Sequence, residues 1–211
     1  MSPNDFQAHL FYASLLSNTN RHEEAIAEAR RARELSPMTP LVFALESQIL
    51  LRAGHTDDAI LQAKKALDFE PNFWVAHLHL GSAYTSQKQY DQANAEYEKA
   101  IQLAPETYIP KTALARLFML RGDHKGAYAI ARELESHRSE RFVPLSSLAA
   151  IYSGLGNKDR ALDQLEKAVE EGEPPCFCWG EETLFDNLRS EPRFREISRR
   201  LNLNISRAPS P

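Results

Sequence analysis

The chain reads as an all-α solenoid: five helical hairpins in series, closed by a C-terminal helical cap. Two observations carry that reading. The stretch from Trp74 to Glu106 writes two amphipathic helices, roughly Val75 to Gln87 and Tyr90 to Leu103, with a short polar break between them. The same pattern returns at a shift of 34 residues. Ala93 maps onto Ala25, Ala59, Ala127 and Ala161, and Gly81 onto Ala13, Ser47, Ala115 and Ala149. Ala100 maps onto Ala32, Ala66 and Ala168, with Leu134 breaking that series, and Pro105 maps onto Pro37 and Pro71. Small residues held at two fixed positions mark where paired helices approach closely. The prolines lack an amide hydrogen and clash with the preceding turn, so each ends a second helix.

Taken in order, residues 1–5 are a lead-in, with Ser2 or Asn4 available to cap the first helix. The repeats then occupy 6–39, 40–73, 74–107, 108–141 and 142–175. The first turns through Asn18, Thr19 and Asn20, residue types that tolerate turn and left-handed conformations. The second turns at Gly54, with Thr56 as the expected cap of its second helix and Asp57 and Asp58 in the first turn, where the helix dipole favours acid. The fourth turns through Arg121, Gly122, Asp123 and His124, and its second helix ends without proline near His137, which predicts a looser junction. The fifth has Gly154 and Gly156 at its turn, Asn157 or Asp159 as cap, and stops at Gly172, Pro174 and Pro175. Beyond Pro175 the residue period fails. The segment 176–203 reads as a cap, with a short helix near Leu184 to Leu188 and a last helix starting at Glu191 and Pro192. Phe194, Ile197 and Leu201 form its apolar face, and Arg195, Arg199 and Arg200 point away. Residues 204–211 are expected to be a disordered tail.

A helix–turn–helix unit of this period resembles the tetratricopeptide repeat, and the resemblance covers about four-fifths of the chain. It implies a right-handed superhelix whose first helices line a concave surface. The last third is similar to a narrower group, the C-terminal repeat regions of bacterial winged-helix transcription regulators, eukaryotic-like serine/threonine kinases and adenylate cyclases. The likeness lies in Tyr152 to Leu162, which reads YSGLGNKDRAL, and in Phe185 to Phe194, which reads FDNLRSEPRF. Glu182 and Thr183 replace an Asp-Pro pair of that group. The implied role is regulatory or scaffolding beside an effector domain. These residues hold no effector domain, so the chain is either a stand-alone repeat protein or the end of a longer one.

Composition narrows the function classes. A net charge of −4 offers no broad attraction for nucleic acid or an anionic membrane. No stretch approaches the ~20 apolar residues of a membrane span, and the N-terminus lacks the basic and apolar blocks of a secretory signal. Cys176 and Cys178 are too close in sequence for an unstrained disulfide. A cytoplasmic location is expected. No phosphate loop, HExxH or GxSxG is present, and no catalytic residue, cofactor or metal is predicted.

Three constellations bear on chemistry. His77 and His79 lie two apart on a helix, where same-face neighbours are three or four apart, so packed histidines are expected. Cys176 and Cys178 lack metal-ligand spacing or a second pair. Six arginines against three acids from Asp186 to Arg207 give a local charge of +3, read as a solvated cap helix.

The candidate site is therefore the groove. Carrying the inward repeat positions onto this chain gives Leu41, Ala44, Gln48 and Arg52, then Val75, Leu78, Ser82 and Thr85, then Ile109, Thr112, Arg116 and Met119. The end repeats add Gln7, Leu10 and Ser14, and Val143, Ser146 and Ala150. Such a floor, apolar with Gln48, Arg52 and Arg116 as polar points, suits an extended peptide or a partner helix. Related cochaperones grip the acidic C-terminus of heat-shock chaperones with a lysine-and-asparagine clamp. Here those places hold Leu10, Ser14, Val75 and His79, so that partner class is not expected.

Overall fold

A computed structural model describes residues 5–139, 142–173 and 185–200. Those residues form eleven α-helices and no strand. The helices are α1 (Phe6–Asn18), α2 (His22–Leu35), α3 (Pro40–Arg52), α4 (Thr56–Phe69), α5 (Trp74–Ser86) and α6 (Tyr90–Leu103). They continue with α7 (Ile109–Leu120), α8 (His124–Ser136), α9 (Leu145–Gly154), α10 (Lys158–Glu170) and α11 (Pro192–Arg200). Successive pairs form five antiparallel hairpins, and the second helix of each begins 34 residues after the last, at positions 22, 56, 90, 124 and 158.

One turn is used five times. Each first helix ends in a residue at positive φ: Asn20, Gly54, Lys88, Gly122 and Gly156. The amide of the next residue reaches back to close the helix: Arg21 to the Leu16 carbonyl, His55 to Leu50, Gln89 to Tyr84, Asp123 to Phe118 and Asn157 to Tyr152, at 2.8–2.9 Å. This is the Schellman arrangement, which satisfies helix-end carbonyls and reverses the chain in two residues.

The helix starts refine the sequence expectations. Asp5 caps α1 by accepting from the Gln7 amide, while Ser2 and Asn4 lie outside the described residues. Thr56 is the first residue of α4 and not its cap; His55 takes that place without a side-chain bond. The turn fixes where the second helix begins, so the capping position is 21, 55, 89, 123 and 157, and of these Asp123 and Asn157 accept from backbone amides. At the α8–α9 junction Arg138 donates to the Val143 carbonyl at 3.2 Å and pairs with Glu171.

The chain divides into two compact units, Met1–Pro105 and Glu106–Pro211. In the first, α3 packs on α1 and α2, and α5 on α3 and α4. Its core holds Ala13, Leu16, Ile26, Ile49, Leu50 and Ala83, with a second cluster around Phe43, Ala44, Ala66 and Ala76. Gly81 is needed at the α5–α6 crossing, since a Cβ there would stand 2.8 Å from the Tyr97 ring.

In the second unit α9 and α10 pair tightly, and α11 packs on α10. Phe194 and Ile197 are buried, as the cap reading requires, while Leu201 lies outside the described residues. Arg193 binds Glu166 at 2.6 Å and Asp163 at 2.7 Å, and Asn187 exchanges bonds with Ser153. The helical spacing outlasts the residue period. The start of α11 at position 192 falls 34 after that of α10, and the short helix expected near Leu184 is a single 3-10 turn, Asp186–Leu188. The Cys176 and Cys178 pair falls outside the described residues.

Candidate partner-binding surfaces

The first helices carry little charge because their neighbours bury most of their circumference. What remains open is a stripe. On α3 the stripe runs Leu41, Gln48 and Arg52, with Leu41 and Arg52 exposed and Gln48 half-buried. Ala44 lies beneath it, buried in the cluster with Phe43 and Ala76. On α5 Val75 and Ser82 are half-buried and Leu78 is buried. Ala44 and Leu78 are therefore closed off, and the open surface is made by the residues around them.

The hydroxyls of this stripe are already engaged. Ser14 donates to the Leu10 carbonyl and Ser82 to the Leu78 carbonyl, each at 3.0 Å, and Thr85 donates to the Gly81 carbonyl at 2.8 Å. The Tyr97 hydroxyl arrives from α6, donating to Ser82 Oγ at 3.2 Å and lying 3.1 Å from Thr85 Oγ1. Tyr97 shares the buried face of α6 with Ala93 and Ala100. Its reach follows from Gly81, which lets the ring slide under α5 until the phenol emerges at Ser82 and Thr85.

In the second unit α7 presents Ile109 and Arg116, both exposed, and half-buried Thr112, whose hydroxyl donates to the Ile109 carbonyl at 2.8 Å. Phe142, exposed, meets Tyr108 edge-on at 6.4 Å. Val143 and Ser146, expected in the groove, are buried. Glu173 holds this end: its carboxylate accepts from the Leu145 amide at 2.8 Å and from Ser146 Oγ at 2.7 Å. No local sequence signal marks Glu173, because the α9 N-terminus it serves lies 28 residues earlier.

The histidines are structural fasteners. His77 Nδ1 lies 2.6 Å from Glu96 Oε2 and its Nε2 lies 3.0 Å from the Pro71 carbonyl, tying α5 to α6 and to the preceding turn. His9 and Glu28 repeat the bond two periods earlier at 2.5 Å. Burial pushes the His79 imidazole down to about 4. Glu46, buried on α3 with Arg33 at 3.4 Å, is pushed above the usual carboxylate range by desolvation. Among the described residues no group of three or more His, Cys, Asp or Glu side chains is placed to hold a metal ion. Nor is any helix among them long and apolar enough to cross a membrane.

Comparison with known proteins agrees with this architecture. Tetratricopeptide repeat models match residues 6–37, 74–107 and 145–171. A thermophilic tetratricopeptide repeat protein of Thermus thermophilus is 20% identical, with a TM-score of 0.69 over 94% of this chain and 100% of its own. A tetratricopeptide repeat protein of Parabacteroides merdae is 16% identical, with a TM-score of 0.65 over 95% of this chain and 79% of its own. The first repeat domain of Spaghetti, solved with the HSP90 peptide SRMEEVD, is 14% identical, with a TM-score of 0.50 over 58% of this chain and 97% of its own. At these identities the likeness is one of fold. No protein of curated function matches this chain.

Proposed function

We infer that this chain, built of tetratricopeptide repeats, is a non-catalytic scaffold that holds a protein partner along the open faces of its first helices. The stripe on α3 carries the reading: an exposed Leu41 and an exposed Arg52 flank Gln48 above a closed apolar floor. Leu41 and Val75 supply apolar surface above the buried Ala44 and Leu78, Gln48 and Ser82 sit at its polar edge, and Arg52 orients a carboxylate or a backbone carbonyl. In the second unit Ile109, Thr112 and Arg116 repeat that chemistry on α7. The partner is an extended peptide or a single helix, because a stripe one residue wide on each helix accepts no broader element. Peptide capture by the Spaghetti domain supports the class of ligand, although the different residues here argue against the same peptide. The bacterial signalling setting and cytoplasmic location rest on the likeness of Tyr152 to Leu162 and Phe185 to Phe194 to bacterial regulators. That same likeness favours a second reading, an intramolecular regulatory domain of a longer kinase or transcription regulator.

The test is partner capture from a bacterial lysate by wild type and by Arg52→Glu/Arg116→Glu, followed by affinity measurement on the captured protein. Binding is expected to weaken at least roughly tenfold with unchanged helicity, as for loss of an oriented charge contact. Undiminished binding would place the partner off these faces. A wild type that captures nothing would favour the intramolecular reading.

A further inference from the structure

The first residue of each hairpin recurs with the 34-residue period and reads Phe6, Pro40, Trp74, Tyr108 and Phe142. In the first unit Pro40 separates the two aromatic members of that series. In the second unit Tyr108 and Phe142 follow one another, and their rings meet. The centroids lie 6.4 Å apart with the ring planes at 72°, so the pair forms a corner. Phe142 is 75% exposed, and Ile109, next to Tyr108 at the start of α7, is 38% exposed. Tyr108 is half-buried. Its phenol lies in the protein, where burial and then the Glu173 carboxylate raise its pKa. What Tyr108 leaves outside is ring.

Ile109, Thr112 and Arg116 continue from that corner along one face of α7, at spacings of three and four. The chemistry of this face is one-sided. The helix IPKTALARLFML has no acid. Thr112 has already given its hydroxyl proton to the Ile109 carbonyl. Arg116 is exposed and carries donors only. The surface therefore offers ring faces and N–H groups, and no carboxylate to accept. A peptide laid on it can satisfy its carbonyls on the guanidinium, but a backbone N–H turned inward goes unpaired, with a desolvation penalty. Proline has no N–H to leave unpaired. A proline-rich segment also holds the polyproline II conformation before it binds, so little ordering entropy is lost.

We propose that the α7 face of the second unit docks a proline-rich peptide in the polyproline II conformation, with one proline ring in the Tyr108–Phe142 corner and an acidic residue on Arg116. This rests on the scaffold reading above and narrows its partner. Charge complementarity selects the acid, since nothing on α7 offsets Arg116. Arg116 stands about 10 Å beyond Ile109 along the helix and polyproline II rises about 3.1 Å per residue, so the acid lies roughly three residues from the seated proline. That is one turn of the peptide, which returns the acid to the face that carries the proline.

Fluorescence anisotropy on the full chain tests this with labelled probes of equal charge. They are a proline octamer flanked by aspartates, a glycine/serine octamer with the same flanks, and an alanine-rich helical peptide with the same flanks. The proline probe is expected to bind at least roughly tenfold tighter than the other two, and Phe142→Ala to weaken it by a similar factor. Helicity and melting of that variant should match wild type, since the side chain is exposed. Arg116→Gln is expected to erase the advantage of aspartate over asparagine flanks while the preference for proline over glycine/serine persists. Equal binding of the proline and glycine/serine probes overturns the proposal, as does tighter binding of the helical one. Undiminished binding by Phe142→Ala overturns it too. A proline probe that does not bind at all also overturns it. In that case capture from lysate that still depends on Arg52 and Arg116 leaves the scaffold reading standing, and capture indifferent to both removes the two together.

Discussion

His79 shows how one residue is chosen by its neighbours. Its repeat position holds Leu45 in α3, apolar where a helix stacks on the preceding hairpin. A histidine serves there only as the neutral ring, and burial lowers its pKa from 6.5 to about 4. The folded state resists the proton that the unfolded chain accepts. The contribution to stability is therefore full above pH 6.5 and is lost as pH falls toward 4. A shift of this size corresponds to about 3 kcal/mol. His79→Leu is expected to remove that loss, so denaturant melts of variant and wild type should diverge by about that amount between pH 7 and pH 4. Parallel pH profiles would show that the ring is hydrated in solution. The two-residue spacing of His77 and His79 is visible in sequence, but the bond of His77 to Glu96 is not, because it joins two helices. Lys88 is a second case. Gly54, Gly122 and Gly156 announce the left-handed turn and Asn20 permits it, whereas Lys88 (φ 61°) adopts it against its own preference, with nothing in its identity to say so.

At the scale of the element, paired substitutions inside one sequence explain why the hairpins share one design. In the first, second and fourth hairpins Ala13, Ser47 or Ala115 on the first helix shares its register with Ala29, Ala63 or Ala131 on the second; in the third Gly81 faces Tyr97, and in the fifth Ala149 shares its register with Leu165. The volume given up by glycine is taken by the ring, whose atoms would lie 2.8 Å from an added Cβ. Gly81→Ala is expected to cost about 1–3 kcal/mol, the usual range for overpacking a closed core. Gly81→Ala/Tyr97→Leu should cost less than the sum of its two single changes, because shortening the ring removes the clash. Thermal melts of the three variants give the coupling directly, and strict additivity would mean that the two positions do not meet. This level is the most legible in sequence. The second helix of the third hairpin runs Tyr90 to Leu103 as its pattern predicts, because proline and small-residue period bound it from both sides. The start of α4 differs by one residue from its sequence expectation. Thr56 has good capping chemistry, but the preceding turn, two residues long, had already fixed the boundary at His55.

For the whole molecule, stability is local. Within each compact unit neighbouring hairpins pack on one another. The neighbour of α10 beyond its own hairpin is the single helix α11, which buries Phe194 and Ile197 under a charged exterior. The apolar spacing of the cap is readable from sequence. Its register is not: Arg195 stands where every earlier hairpin has alanine, which hides the fact that α11 occupies the place of a second helix. Arg193, bound to both Glu166 and Asp163, sets that placement from outside the core. Ile197→Asp forces a carboxylate into the buried cap contact, at a cost of several kcal/mol that the segment meets by detaching. Amides of α10 should then exchange roughly tenfold faster or more, because the opening free energy of a terminal hairpin falls when its outer neighbour leaves. Amides of α3 and α4, flanked on both sides by their own hairpins in the first unit, should keep their rates. Hydrogen exchange read helix by helix distinguishes this from global destabilisation, in which α3, α4 and α10 would accelerate together.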